Sequence, residues 1–150
     1  DSGRVLLAER GTDRLGGCPL VFIHKTRDPF RPGKVTANRV IGDVAGRTCI
    51  MIDDEIQTGG TVVAAADVLF DAGAADVIVA ATHGVLAGPA VERLKNSRIR
   101  EVVLTNTLPI PSEKRLDKIT VLSIAPLIAT AIREIFEDGS VTSLFDGAAG

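Results

Sequence analysis

Tryptophan and tyrosine are absent from the 150 residues, and phenylalanine occurs five times. So few aromatic rings leave no evident hood for stacking a base. Charge of one sign is not in surplus either: 17 basic residues face 19 acidic ones, so nothing draws a phosphate backbone to the surface. Nucleic acid is therefore not an expected partner. The two cysteines, Cys18 and Cys49, lack metal-ligand spacing and sit beside or inside apolar runs, which makes buried thiols the expectation rather than a disulfide. Long hydrophobic runs are also missing. The stretches 77–81 and 119–130 are too short or too interrupted to span a bilayer, and no basic-then-apolar leader opens the sequence. No membrane partner is expected, and the cytoplasm is the default compartment.

What is present is a regular alternation. With 45% apolar residues the chain can bury one ordinary core, and residues 1–150 read as a single domain. Apolar runs rich in β-branched residues recur at roughly 25- to 30-residue intervals with helical patterns between them, the signature of βαβ units and a parallel sheet. Strands are expected at 20–23, 48–52, 77–81, 101–104 and 119–123, and helices at 5–15, 61–71, 88–96 and 126–136. In the second helix Val62, Ala65, Ala66 and Leu69 share one face at helical spacing, and Gly73 supplies a stop. Pro89 and Pro126 each stand where a first helical turn tolerates proline. The polar stretch 25–37 carries Pro29, Pro32 and Gly33 and reads as a mobile loop leading into a hairpin, 39–44 paired with 47–52.

The chemistry concentrates at Ile50-Met51-Ile52-Asp53-Asp54-Glu55-Ile56-Gln57-Thr58-Gly59-Gly60-Thr61. A buried strand delivers Asp53 and Asp54 near its carboxyl end, where open α/β sheets bind ligands. Thr58, Gly59, Gly60 and Thr61 then let backbone N–H groups and two hydroxyls converge on one phosphate ahead of the next helix. The carboxylates suit vicinal sugar hydroxyls or a magnesium ion. Adjacent like charges at a strand end cost stability unless they serve a ligand, which weighs against a pair of idle turn carboxylates. Lys25 and Arg27 lie two apart at a strand end and in extended backbone point the same way, as a pair aimed at one anion would; a solvated basic loop explains them equally well. Asp1 and Ser2 by themselves read as an N-cap. His24 and His83, the only histidines, sit against apolar strands and read as structural.

These residues also carry a resemblance. Asp53 to Thr61 resembles the phosphoribosyl pyrophosphate (PRPP) loop of type I phosphoribosyltransferase folds. Added to it are Asp1-Ser2-Gly3, Ile23-His24-Lys25-Thr26-Arg27, Ala81-Thr82-His83-Gly84, Thr105-Asn106-Thr107-Leu108-Pro109 and Gly139-Ser140-Val141-Thr142-Ser143-Leu144-Phe145. Together they resemble the carboxyl-terminal half of the PRPP synthetase family over essentially the whole chain. The resemblance implies an α/β, phosphoribosyltransferase-like (Rossmann-like) parallel sheet flanked by helices, with a small β-hairpin and a flexible loop. It implies transfer of the β,γ-diphosphoryl group of ATP to ribose 5-phosphate with Mg2+. Asp53, Asp54, Gln57, Thr58, Gly59, Gly60 and Thr61 would bind ribose 5-phosphate, and Asp1, Ser2 and Gly3 the diphosphate, with Asp1 as a metal ligand. Lys25 and Arg27 would be catalytic. It further implies an absent amino-terminal half that supplies the adenine pocket, a homo-oligomer (hexamers in the family), and an effector site at Ser140, Val141 and Thr142.

Two positions depart from the family pattern: Gln57 stands where the loop is usually acidic, and Glu55 where it is normally apolar. A PRPP-consuming phosphoribosyltransferase is an alternative, disfavoured by the lack of an aromatic hood for a base. A non-catalytic regulatory or binding subunit on the same fold is another.

Overall fold

The structure, a computed structural model, describes residues 5–27 and 35–144; for residues 5–8, 10, 25–27, 35–38 and 143 it describes the backbone alone. Helix α1 (Val5–Arg14) leads through a turn with Gly16 and Gly17 at positive φ into strand β1 (Phe22–Arg27). Strand β2 (Val35–Ile41) pairs antiparallel with β1, Phe22 opposite Ile41, with a register shift between Thr26 and Arg27. Strand β3 (Thr48–Ile56), helix α2 (Gly60–Asp71), strand β4 (Asp76–Gly84), helix α3 (Ala90–Asn96) and strand β5 (Glu101–Thr105) follow. A short 3-10 turn (Ser112–Lys114), strand β6 (Ile119–Leu122), helix α4 (Ala125–Phe136) and a second 3-10 turn (Val141–Leu144) complete the order.

Strands β3 to β6 form a four-stranded, wholly parallel sheet in sequence order, beside the two-stranded β1–β2 hairpin. The expected fold class therefore holds. The hairpin, however, is not the expected one. Strand β2 turns back onto β1, and the residues that follow enter the parallel sheet as β3, beside β4. The physical reason lies at 42–47. Gly42 bends the chain at φ 120°, and Val44 is buried in the core at 2% exposure. The Gly46 N–H donates to Gly73 O and the Ala75 N–H to Arg47 O, tying this turn to the turn after α2 instead of closing a hairpin on itself. The expected loop 25–37 is correspondingly shorter, since its two ends are the last residues of β1 and the first of β2; residues 28–34 lie outside the described residues.

The core sits on the face of the sheet that α2 and α3 cover. Val77, Val79, Val102 and Leu104 of the strands are fully buried, against Val62, Ala66 and Leu69 of α2 and Ala90 and Leu94 of α3. The four positions 62, 65, 66 and 69 that the helical spacing singles out are the buried residues of α2. That helix ends as the sequence implies: Gly73 takes φ 95°, its N–H donates to Phe70 O, and the Ala74 N–H donates to Leu69 O. Pro126 opens α4 and Pro89 caps α3. The opposite sheet face is barer. Ile50, Ile52 and Val121 remain between 41% and 47% exposed, and α4 buries none of its residues, with Leu127, Ile128, Ile132 and Ile135 turned outward. Of the thiols, Cys49 is half-buried and burial pushes its pKa up, whereas Cys18 is exposed in the turn after α1, contrary to its expected burial. Both are free. No helix among the described residues is long and apolar enough to cross a membrane.

This one-sided core predicts a contrast. Leu94→Ala should cost about 2–5 kcal/mol, because it empties a fully enclosed site. Ile135→Ala, at a position 65% exposed, should fall within ~0.5 kcal/mol of the parent. Urea unfolding of the two variants measures both.

Candidate functional site

Strand β3 runs three residues past the carboxylate pair's first member, to Ile56, so Asp53 and Asp54 lie in its last turns of pleat and not beyond its end. Asp53 pairs with Ala81, Glu55 with His83 and Ile56 with Gly84 of β4. The Asp54 N–H donates to Asp53 Oδ1 at 2.9 Å and the Glu55 N–H to Asp54 Oδ1 at 3.0 Å. One oxygen of each carboxylate is thereby set by the backbone. A carboxylate has about four lone-pair positions, so one backbone N–H does not exhaust either group.

The loop that follows is held from behind by one segment. The Leu86 N–H donates to Ile56 O at 3.0 Å, the Ala87 N–H donates to Gln57 O at 2.8 Å, and the guanidinium of Arg93 on α3 donates through Nη1 to Thr58 O at 3.0 Å. Three consecutive carbonyls thus face the 86–93 segment. No described peptide bond is cis, and in a trans peptide the C=O of one residue and the N–H of the next point in opposite directions. The N–H groups of Gln57, Thr58 and Gly59 therefore turn the other way. Gly59 then adopts φ 72°, a left-handed conformation that glycine enters without steric cost, and its carbonyl receives the Val63 N–H to begin α2. The first N–H groups of α2 have no partner within the helix and carry its positive end. A Cβ on Gly59 would stand 3.4 Å from Ala90 O, so α3 closes the space behind the turn.

On the open side lies a cavity of ≈ 300 Å³ lined by residues 53–62, to which no residue of the 86–93 segment contributes. Asp53, Asp54, Gln57, Thr58, Gly59, Gly60 and Thr61 all line it, so the structure brings together every expected residue of the ribose 5-phosphate group. The two departures from the family pattern meet there: Gln57 Nε2 donates to Glu55 Oε1 at 2.7 Å. The amide satisfies the misplaced acid, and the negative charge sits two positions upstream of where the pattern usually holds it. A second cavity, ≈ 310 Å³ between α2 and α3, is lined by Asp67, Arg93 and Arg98 among others. Arg98 pairs with the lining Asp67 at 3.2 Å and with Asp71 at 3.1 Å, and lies over the Phe70 ring.

The other candidates are less gathered. Lys25 and Arg27 close β1 opposite Asn38 and Val35, and the register shift between Thr26 and Arg27 interrupts simple alternation; their side chains lie outside the described residues, as do Asp1, Ser2 and Gly3 altogether. Ser140 Oγ and Thr142 Oγ1 are hydrogen-bonded at 2.5 Å, in and beside the 3-10 turn, and the Gly139 N–H already donates to Glu134 O. His83 is exposed; its Nδ1 lies 2.8 Å from Thr107 Oγ1, within a hydroxyl cluster in which Thr105 and Thr107 both donate to Thr82 O. Among the described residues no three His, Cys, Asp or Glu side chains gather as a metal cage. Sequence reasoning missed Arg93. Its signal was thin, one of two basic residues in α3, and only the fold reveals that it reaches the loop at Thr58, 35 positions upstream.

A model of the phosphoribosyl synthetase-associated domain matches residues 25–146. The chain belongs to this family. It is 64% identical over 146 residues to a ribose-phosphate pyrophosphokinase of Bifidobacterium longum, covering 97% of this chain and 43% of that protein. It is 62% identical over 149 residues to a ribose-phosphate pyrophosphokinase of Mycobacterium bovis, covering 99% of this chain and 46% of that protein. The crystal structure of phosphoribosylpyrophosphate synthetase from Mycobacterium smegmatis superposes with a TM-score of 0.83 at 57% identity, over 93% of this chain and 44% of that one. The chain thus spans a little under half the length of these relatives.

The Glu55–Gln57 contact makes a prediction for a family domain with this loop. Gln57→Glu places two carboxylates in contact at the mouth of the cavity and should weaken phosphate binding roughly tenfold, the order expected of a like charge added near a bound anion. Glu55→Gln on that background should restore it. A double-mutant cycle by calorimetry with inorganic phosphate measures the coupling.

Proposed function

We propose that this chain is one domain, the carboxyl-terminal half of a ribose-phosphate pyrophosphokinase, and that it binds the acceptor sugar for transfer of diphosphate from ATP to ribose 5-phosphate, yielding PRPP and AMP. The observation that carries this reading is the cradle: carbonyls 56–58 turned to the 86–93 segment, which leaves the N–H groups of 57–59 facing away from it, beside a cavity lined by Thr58, Thr61 and the acid pair. Residues 57–61 hold the 5-phosphate, and Asp53 and Asp54 accept hydrogen bonds from the ribose hydroxyls. Gripping phosphate and hydroxyls at once fixes the sugar, which converts an encounter with ATP into an oriented approach.

The anomeric hydroxyl attacks the β-phosphorus of ATP, a P–O bond forms as the bond to AMP breaks, and the hydroxyl proton leaves to solvent or a phosphate oxygen. No covalent enzyme intermediate is needed. Lys25 and Arg27 stabilise the charge on the transferred group, and the loop Asp1 to Gly3 holds the diphosphate. Asp1, a carboxylate of the kind magnesium takes, would hold that ion, which would neutralise phosphate charge in such a transfer. The adenine pocket belongs to the remainder of the relatives' length. The working protein is a homo-oligomer in the cytoplasm, and Ser140, Val141 and Thr142 take part in effector binding.

Calorimetry with ribose 5-phosphate and magnesium should show saturable binding that Thr61→Ala and Asp54→Ala each weaken about tenfold or more, the worth of one hydrogen bond to a charged group. Equal binding by parent and variants would remove the cradle. The chain alone should release little AMP from ATP. Joined to the remaining half it should turn over, and Lys25→Ala or Arg27→Ala should then lower kcat by roughly 100-fold or more.

A further inference from the structure

We infer that Arg93 is a positioning residue for the phosphate of the acceptor sugar, acting through the Thr58 carbonyl; this rests on the cradle reading above. Its Nη1 donates to Thr58 O at 3.0 Å, and the same nitrogen lies 3.2 Å from where a Cβ on Gly60 would stand. The guanidinium therefore occupies the space beside Gly60, as Ala90 and Leu94 occupy the space beside Gly59. Leu86 and Ala87 hold the carbonyls of Ile56 and Gln57 through backbone bonds that any residue there would make. The third carbonyl depends on a side chain. Thr58 O is the one attached to the peptide whose N–H belongs to Gly59, at the point where the chain goes left-handed into α2. If that peptide plane turns over, the carbonyl dipole replaces the N–H at the cavity and repels an anion instead of attracting it.

Arg93 is suited to this task by what else surrounds it. The ion pairs of this region go to Arg98, which takes Asp67 and Asp71, and Arg93 forms none among the described residues. Its backbone is anchored, the Arg93 N–H donating to Pro89 O, and the next residue, Leu94, is fully buried. A side chain that is exposed on a fixed helix makes little contribution to the core. Removing it should leave the fold intact and loosen one peptide plane. It lies behind the cradle and outside the residues that line the cavity, so it acts on the phosphate through Thr58 and not by contact.

The experiment measures binding of ribose 5-phosphate and of inorganic phosphate to the chain, its Arg93→Ala variant and the Thr61→Ala variant, with thermal midpoints alongside. Arg93→Ala should lose about tenfold in affinity for both ligands, equivalent to 1.4 kcal/mol, with an unchanged midpoint. Added methylguanidinium should restore binding to Arg93→Ala and not to Thr61→Ala, a response that a merely structural role would not give. Parent-like affinity in Arg93→Ala, beside weakened binding in Thr61→Ala, would overturn the role of Arg93 and leave the cradle standing. A loss of affinity that tracks a fallen midpoint and resists methylguanidinium would also overturn it. Failure of the parent to bind either ligand would sink the cradle and this inference together.

Discussion

The direction of three peptide planes decides what this domain can hold. A loop of small residues at a helix start is not in itself an anion site, because each peptide offers a carbonyl as readily as an N–H. Here the carbonyls of Ile56, Gln57 and Thr58 are committed to the segment 86–93, and the planarity of the peptide leaves the N–H groups no choice of side. The preference for an anion that we propose thus comes from hydrogen bonds on the face turned away from the cavity.

The parallel sheet is what makes this possible. Strands β3 and β4 end together, Ile56 beside Gly84, so the loop leaving β3 and the segment leaving β4 travel side by side and can exchange hydrogen bonds. Helices α2 and α3 then pack on the same face of the sheet through Leu69, Ala90 and Leu94. The core and the cradle share their supports: Ala90 meets the space behind Gly59, and Leu94 adjoins Arg93. Charges are also sorted: the acid pair Asp53 and Asp54 lines the cavity, while Arg93 lies behind the loop and donates to the Thr58 carbonyl.

Much of this was legible in the chain. Alternating β-branched runs and helical spacing located every strand of the parallel sheet and all four helices to within a few residues, because local periodicity records which face is buried. Gly73 and Pro126 marked helix ends for stereochemical reasons that hold in any context. The hairpin was misread because pairing between strands is a long-range choice. Nothing local tells 39–44 whether to pair forward or backward, and the burial of Val44 and the bond between Gly46 and Gly73 decided it. The cavity-lining residues were readable as a contiguous motif; Arg93 was not, since its hydrogen bond to Thr58 O exists only once α3 is packed beside the loop. Residues Glu55 and Gln57, each odd when read alone, become intelligible as a pair through one hydrogen bond.

The most direct test of the oriented loop is a titration of the amide 1H–15N spectrum with ribose 5-phosphate, run beside ribose alone. The account predicts that the phosphate-bearing sugar moves the N–H resonances of Thr58, Gly59, Gly60 and Thr61 downfield, as donors to an anion move, and that ribose leaves them in place. Large shifts centred instead on Asp67, Asn96 and Arg98 around the α2–α3 cavity, with 58–61 unmoved, would contradict it.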